Sequence, residues 1–207
     1  MFDKMIIFVD METISEYEKM KQQILVAAKS VFIKYGYNKV SMDDIAKALG
    51  KSRSTLYHYF KNKKEVFELI AFTEFKQIMQ LAEQEVIKGK SIQDNLIDYY
   101  SKKADCANEL LVAYSSLAEE IKAHEDVFYE ISKMQVEAEA SVLRRILEWA
   151  IEQKEINTSK ERDISFLSRV LTTALRSFEQ EVFLQNKFST FKVNLSMLVE
   201  ILCKGLR

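Results

Sequence analysis

Apolar residues near the start of the chain recur with the spacing of an α-helix. In segment 17–35 they fall at i, i+3, i+4, i+7, i+8 and i+11, and they are Ile24, Ala27, Ala28, Val31, Phe32 and Tyr35. That spacing places them on one helix face. Gly36 comes next, and glycine often ends a helix because it adopts the left-handed conformation without strain. The pattern therefore predicts an amphipathic helix over residues 17–35.

Two short helices follow, each opened by a serine. Ser41 and Asp44 have the spacing of a capping box, in which the serine caps the helix start and the acid reaches back to the backbone. Gly50 ends this helix, and Ser52 caps another that runs to about Tyr59. Two short helices joined by a turn form a helix-turn-helix unit. Its second helix is expected to enter the major groove of DNA.

The rest of the chain is also helical in pattern. Asn62, with Glu65 three positions later, predicts the start of a fourth helix that continues towards Lys88, and Gly89 interrupts it. Further helices are predicted at 92–104, 108–122, 126–154, 160–186 and 190–205, with breaks near Asp105, His124, Asn157 and Asn186.

These elements predict an all-α fold in which an N-terminal three-helix helix-turn-helix DNA-binding domain precedes a larger helical domain. We interpret residues 1–15 as a leader whose order the pattern does not determine, because its apolar run is short and acidic residues follow at once. We expect the DNA-binding domain to cover residues 16–64 and the larger domain to cover residues 65–207.

The composition agrees with long helices. The 207 residues include no proline and only four glycines, and these are the two residues that most disfavour helix interiors. Cys106 and Cys203 are isolated and form no disulfide framework, so we expect a cytoplasmic protein. No stretch approaches the roughly 20 apolar residues of a membrane span, so no membrane partner is expected.

The net charge of −1 conceals an asymmetry along the chain. Residues 16–64 contain eleven Lys/Arg and four Asp/Glu, a net charge of +7, whereas residues 65–207 contain 18 Lys/Arg and 24 Asp/Glu, a net charge of −6. A basic segment joined to an acidic one suggests that the basic segment meets a polyanion.

The basic segment also has residue types suited to DNA. Ser41 and Ser52 stand at predicted helix starts, where free backbone N–H groups attract phosphate. Lys63 lies at the start of the fourth helix, where a cation is unfavourable unless an external anion compensates it. Arginine pairs with guanine edges and a threonine methyl contacts thymine, so Arg53 and Thr55 are candidates for base reading.

A nearly continuous series of residues matches a known signature. It comprises Gly36-Tyr37, Ser41-Met42-Asp43-Asp44-Ile45-Ala46, Gly50, Ser52 and Thr55-Leu56-Tyr57-His58-Tyr59-Phe60-Lys61-Asn62-Lys63. Through this series, residues 20–67 resemble the DNA-binding domain of TetR/AcrR-family transcriptional regulators. The chain departs from the family at Lys51, where an apolar residue is usual, and at Ser54, where glycine is frequent.

The resemblance implies specific DNA contacts. Tyr57 and Lys63 would contact phosphates, and Arg53, Ser54, Thr55 and His58 would contact bases or backbone. With the two helix-start serines, the predicted DNA-binding residues are Ser41, Ser52, Arg53, Ser54, Thr55, Tyr57, His58 and Lys63.

The resemblance also implies a ligand-responsive repressor. Such a protein binds a palindromic double-stranded DNA operator as a homodimer, and a small apolar or amphipathic effector releases it. The larger domain would then bind the ligand and form the dimer, with no cofactor and no metal. Aromatic and neighbouring polar residues are the ligand-binding candidates: Tyr99, Tyr114, Phe128, Trp149, Phe166, Thr173 and Arg176.

Several alternatives stay open on the sequence alone, and one of them is that the larger domain only forms the dimer and senses no ligand. The apolar stripe of segment 190–205, which comprises Phe191, Leu195, Leu198, Val199 and Leu202, fits either a dimer interface or the core of one chain. An enzyme is disfavoured because the chain has only two histidines and lacks HExxH, GxSxG, P-loop and GxGxxG motifs. An all-helical interaction module with a basic surface is the other alternative.

Overall fold

The computed structural model describes residues 15–113, 125–156, 161–185 and 188–206. These ranges contain eight α-helices: α1 (Glu16–Tyr35), α2 (Met42–Leu49), α3 (Arg53–Tyr59), α4 (Lys63–Glu83), α5 (Ile92–Ala113), α6 (Glu125–Glu152), α7 (Glu161–Gln185) and α8 (Phe188–Gly205). The all-α prediction is confirmed.

The chain divides into two compact units between Ile70 and Ala71. We call them the N-terminal and the C-terminal unit. The predicted domain ranges 16–64 and 65–207 stay a prediction. Of the predicted leader, residues 1–14 lie outside the described residues, whereas Ser15 is the N-cap of α1 and accepts a hydrogen bond from the Glu18 backbone.

The caps of α2 and α4 are those that the sequence predicts. At the start of α2, the Asp44 backbone donates to the Ser41 hydroxyl, and the Asp44 carboxylate accepts from the Ser41 backbone, which completes a capping box. Gly50 ends α2 with φ 68° and ψ 30°, the left-handed conformation that glycine adopts without strain. The Asn62 side chain caps α4 by accepting from the Glu65 backbone at 2.9 Å. The sequence therefore fixes these helix boundaries locally.

The core of the N-terminal unit holds α3 in place. Leu56 and Phe60, on the inner side of α3 and at its end, are completely or almost completely buried. Phe32 and Phe67 meet edge to face at 5.7 Å, an arrangement that aromatic pairs favour. This packing leaves the other side of α3 facing outward.

The core of the C-terminal unit is a single apolar cluster formed by α5, α6, α7 and α8 together with the end of α4. Tyr99, Leu143, Leu175, Leu195 and Val199 are among its completely buried members. The stripe of segment 190–205 belongs to this core, because Phe191, Leu195 and Val199 are buried and Leu198 and Leu202 pack against them.

The break predicted near Asp105 is wrong, because α5 continues through it to Ala113. Polar residues at and near that position are paired with other helices. Lys103 pairs with Glu139 of α6, and Asp105 pairs with Lys192 of α8 at 2.9 Å. Tertiary partners therefore allow the helix to keep polar residues where the sequence alone suggested a loop.

Candidate nucleic-acid interface

The first turn of α3 is built by Ser52 and Thr55. The Ser52 hydroxyl accepts from the Thr55 backbone at 3.1 Å and lies 2.9 Å from the Thr55 hydroxyl. The Ser41 hydroxyl is engaged likewise, because it donates to the Asp44 carboxylate at 2.6 Å. This hydrogen bond is the main cause that lowers the pKa of Asp44. Ser41 and Ser52, which were predicted to meet phosphate, therefore use their hydroxyls to cap their own helices.

The outward side of α3 carries the predicted reading residues. Ser52, Arg53, Ser54, Tyr57 and His58 are exposed, and Tyr57 is 43% exposed. Thr55 is half-buried at the edge of this surface. We call the outward side of α3, residues 52–55 with Tyr57 and His58, the recognition face. The structure thus brings six of the eight predicted DNA-binding residues onto one face.

Arg53 is oriented by two neighbours. Its Nη1 donates to the Asp43 carboxylate at 3.3 Å, and its Nη2 donates to the Tyr57 hydroxyl at 3.3 Å. The Nε atom also lies 3.3 Å from the second Asp43 oxygen. The hydrogen bond to Tyr57, and then the charge of Asp43, raise the pKa of the guanidinium. This role of Asp43 was not predictable from local sequence patterns, because Asp43 and Arg53 are ten residues apart.

The rings of His58 and Tyr59 on α3 pack against Tyr17 at the start of α1. The ring of Tyr17 lies 4.7 Å from that of Tyr59 and meets His58 edge to face at 6.1 Å. These contacts fix how α3 sits on α1, and they leave His58 exposed.

Lys63 contacts the backbone between α1 and α2. Its ammonium donates to the backbone carbonyls of Tyr37 at 2.8 Å and Val40 at 2.9 Å, and more weakly to that of Asn38 at 3.4 Å. It therefore joins the start of α4 to the turn between α1 and α2. Its phosphate contact stays a prediction, and such a contact competes with these carbonyls for the ammonium hydrogens.

The C-terminal unit contains a buried cluster of charged residues that was not predicted from the sequence. The Lys103 ammonium lies 2.7 Å from the carboxylates of both Glu139 and Glu179, and Arg176 pairs with Glu139 at 2.9 Å. We call these four residues the buried charge cluster. Lys103 is in phase with the apolar residues Leu96, Tyr99 and Tyr100 of α5, and a charge at an apolar phase is the signal that would have revealed it.

Burial and charge act in opposite directions within this cluster. Burial alone would lower the pKa of Lys103, but the charges of Glu139 and Glu179 outweigh it, and the pKa is raised. Burial would raise the pKa of Glu139, but Lys103 and Arg176 keep it below its usual value. Burial raises the pKa of Glu179 to about 7, because Lys103 compensates it only in part and Glu139 adds a like charge. Glu179 is therefore the less well compensated of the two carboxylates in the cluster.

The structure gathers only some of the predicted ligand-binding residues. Tyr99 and Arg176 lie at the buried charge cluster, where the Lys103 ammonium is 5.9 Å from the Tyr99 ring centre. Trp149 is half-buried beside the Arg145 guanidinium on α6.

The other candidates lie elsewhere. Phe166 is 66% exposed on α7, and Thr173 is exposed on the same helix. Tyr114 and the side chain of Phe128 lie outside the described residues. The ligand-binding role of all seven residues stays a prediction.

The described residues include neither a cluster of metal ligands nor a membrane-spanning helix. They contain no group of three His, Cys, Asp or Glu side chains placed to hold a metal ion. In the same ranges, no helix combines the length and the apolar character needed to cross a membrane.

A small helical unit with a capped, outward-facing second helix defines a helix-turn-helix DNA-binding protein. Residues 24–70 match the family model described as bacterial regulatory proteins, tetR family. The chain is 34% identical to the uncharacterized HTH-type transcriptional regulator YhgD of Bacillus subtilis, in a match that covers 37% of this chain and only 40% of YhgD.

Longer matches reach both units. The chain is 25% identical to the HTH-type transcriptional regulator QacR of Staphylococcus aureus over 84% of this chain and 97% of QacR. The fold matches the crystal structure of a TetR-family transcriptional regulator from Pectobacterium atrosepticum with a TM-score of 0.64 and 18% identity, over 92% of this chain and 95% of that one.

The protein therefore contains a DNA-binding domain of the tetR family, at residues 24–70. It is a DNA-binding transcriptional regulator and not an enzyme.

Proposed function

We propose that the protein is a ligand-responsive repressor that binds a palindromic operator as a homodimer and is released by a small apolar or amphipathic effector. The observation that carries the proposal is the recognition face, because α3 buries Leu56 and presents Arg53, Ser54, Tyr57 and His58 outward. Repression is the mode that the resemblance to the family implies.

The recognition face has groups for both kinds of DNA contact. Arg53 and the methyl group of Thr55 are suited to reading base edges, and the Tyr57 hydroxyl is suited to a phosphate. The exposed side chain of Lys51 adds a cation immediately before Ser52. Phosphate contacts position α3 in the groove, while base contacts set the sequence preference.

An exposed apolar stripe on α8 supports the homodimer. Val193, Met197 and Ile201 are 74%, 60% and 61% exposed, and they recur every four residues on one helix face. On α7, Phe166 and Val170 are exposed with the same spacing. Exposed apolar stripes mark interaction surfaces. A two-fold symmetric dimer would cover the same stripe on both copies.

Buried hydroxyls without a hydrogen-bond partner support an effector site in the C-terminal unit. The hydroxyls of Tyr99 and Thr172 are buried and make no hydrogen bond with the described residues. Buried polar groups normally have a partner, since an unpaired one costs about 1–3 kcal/mol. A polar group of the effector would satisfy one of these hydroxyls, while its apolar part would contact the surrounding core.

Release of the operator then follows from thermodynamic linkage between the effector site and the recognition face. An effector shifts the equilibrium between a DNA-binding conformation and a released conformation only as far as its affinities for these two conformations differ. A coupling of about 1–3 kcal/mol would weaken operator binding by roughly 5- to 150-fold.

Selection of bound sequences from random duplexes tests the proposal. With full-length protein we expect an inverted repeat whose half-sites are about 34–36 Å apart or a multiple of that distance. A shared motif without two-fold symmetry would contradict the homodimer, and recovery of unselected sequence would contradict operator binding altogether.

A further inference from the structure

Asp43 is an acidic residue beside a face that is expected to meet DNA. It lies in the first turn of α2, and its carboxylate contacts the Arg53 guanidinium through the Nη1 hydrogen bond and through Nε, both at 3.3 Å. About half of each side chain is exposed. The carboxylate therefore lies where it would repel the phosphate backbone unless Arg53 neutralises it.

Helix capping does not require Asp43. The capping box of α2 is formed by Ser41 and Asp44. An acid in the first helical turn gains a little from the helix dipole, typically about 0.3–1 kcal/mol at an exposed site. That gain explains an acidic residue at the start of α2, but it does not explain the contact with Arg53.

The contact restrains a side chain that is otherwise flexible. The guanidinium is held on one side by Asp43 and on another by Tyr57, whose ring centre lies 5.3 Å from the guanidinium carbon. These two hydrogen bonds use two of the five guanidinium N–H groups. Donors therefore remain for a bidentate contact with a guanine edge. A side chain that is already oriented loses less conformational freedom on binding.

We propose that Asp43 is a positioning residue for base recognition, which holds the Arg53 guanidinium on the recognition face so that it reads guanine in the operator. The proposal rests on the operator binding proposed above and names the residue that gives it sequence preference. Because Asp43 acts through Arg53, its loss changes which bases are preferred more than it changes how tightly DNA in general is bound.

Paired variants of the full-length protein separate this role from simple charge. Asp43→Asn removes the charge at nearly constant shape. Glu18→Gln is the matched control, because Glu18 is an exposed acid in the first turn of α1. Arg53→Ala identifies the operator position whose guanine preference depends on Arg53. Binding is then measured by fluorescence anisotropy for three duplexes: the selected operator, the operator with that guanine changed to adenine, and an unrelated sequence.

We expect Asp43→Asn to reduce the preference for guanine over adenine about five- to tenfold, which is within the range of one bidentate base contact. Glu18→Gln should leave the preference within about twofold, since no described contact links it to Arg53. Asp43→Glu, which keeps a carboxylate, should restore part of the preference.

Two results would overturn the proposal. One is that Asp43→Asn tightens binding to all three duplexes equally, and by the same factor as Glu18→Gln does. In that case Asp43 would affect DNA binding only through general repulsion of the phosphates. The other is that Arg53→Ala removes no guanine preference. If the wild-type protein selects no sequence at all, the proposed operator binding is itself refuted. That outcome is distinguishable from the two results that would overturn only the role of Asp43.

Discussion

The ammonium of Lys63 lies 2.8 Å from the backbone carbonyl oxygen of Tyr37 and 4.4 Å from the centre of the Tyr37 ring. The carbonyl of Val40 accepts a further hydrogen bond from it at 2.9 Å. A residue that the family resemblance assigns to a phosphate thus also ties α4 to the turn between α1 and α2. The two roles have different consequences when the ammonium is removed.

Lys63→Met should destabilise the N-terminal unit by about 1–3 kcal/mol, because the carbonyls of Tyr37 and Val40 lose a charged donor. Hydrogen exchange of the α1 and α2 amides measures this change. Lys64→Met is the control, since Lys64 is more exposed and forms a long 3.8 Å ion pair with Glu68. Equal stability of the two variants, with DNA affinity lost only in Lys63→Met, would instead assign the ammonium to phosphate.

Salt dependence tests the contribution of Lys51. The logarithm of the binding constant should fall with the logarithm of salt concentration, with a slope of about −0.9 per neutralised phosphate. Lys51→Val introduces an apolar residue like those usual in the family and should reduce the slope by about 1 if Lys51 meets a phosphate. Lys88→Val, at an exposed lysine of the C-terminal unit, is the control. An unchanged slope in Lys51→Val would exclude the phosphate contact.

A charge on the exposed stripe of α8 should prevent dimerisation. Met197→Glu and Ile201→Glu each place a carboxylate on a surface that would be covered in the dimer, where an unpaired charge is costly. Sedimentation velocity should show a shift towards the monomer and a parallel loss of operator affinity.

Val112→Glu is the matched control for the stripe, because Val112 is 73% exposed on α5 and lies outside the stripe. It should leave the sedimentation coefficient unchanged. A dimer that survives both α8 substitutions would place the interface elsewhere.

Glu179 should make stability depend on pH. Its pKa is about 7 in the folded protein, against an ordinary value of 4.5 for glutamate. The folded state therefore binds more protons than the unfolded state between these values, so the free energy of unfolding falls as the pH rises from about 4.5 to 7. The other members of the buried charge cluster do not share this window, because Glu139 titrates below it and Lys103 above it.

Glu179→Gln should remove this fall, which we expect to total about 1–3 kcal/mol. Denaturant unfolding followed by the fluorescence of Trp149 measures it in the C-terminal unit. Glu152→Gln, which breaks an exposed ion pair with Lys88, should preserve the wild-type dependence. A Glu179→Gln variant that retains the full pH dependence would show that another group is responsible.

The local features of the fold were predictable from short stretches of sequence. The capping box at Ser41, the left-handed Gly50 and the cap at Asn62 each depend on residues within a few positions of one another. The helix periodicity near Ile24 and Phe32 is equally local. These features identified the helix-turn-helix unit and its outward face.

Contacts between distant residues were not predictable in this way. The apolar residues of α8 divide into a buried stripe containing Leu195 and an exposed stripe containing Met197, and both have helical spacing. Only the packing of α8 against its neighbours shows which of the two stripes forms the core.

The sequence by itself determined where most of the helices begin and end and which side of α3 faces outward, because caps and periodicity act over one or two helical turns. The tertiary structure decided which polar side chains meet: Arg53 with Asp43, Lys63 with Tyr37, and Lys103 with Glu139 and Glu179. These partners lie far apart in the chain, and their pairing depends on how whole helices pack.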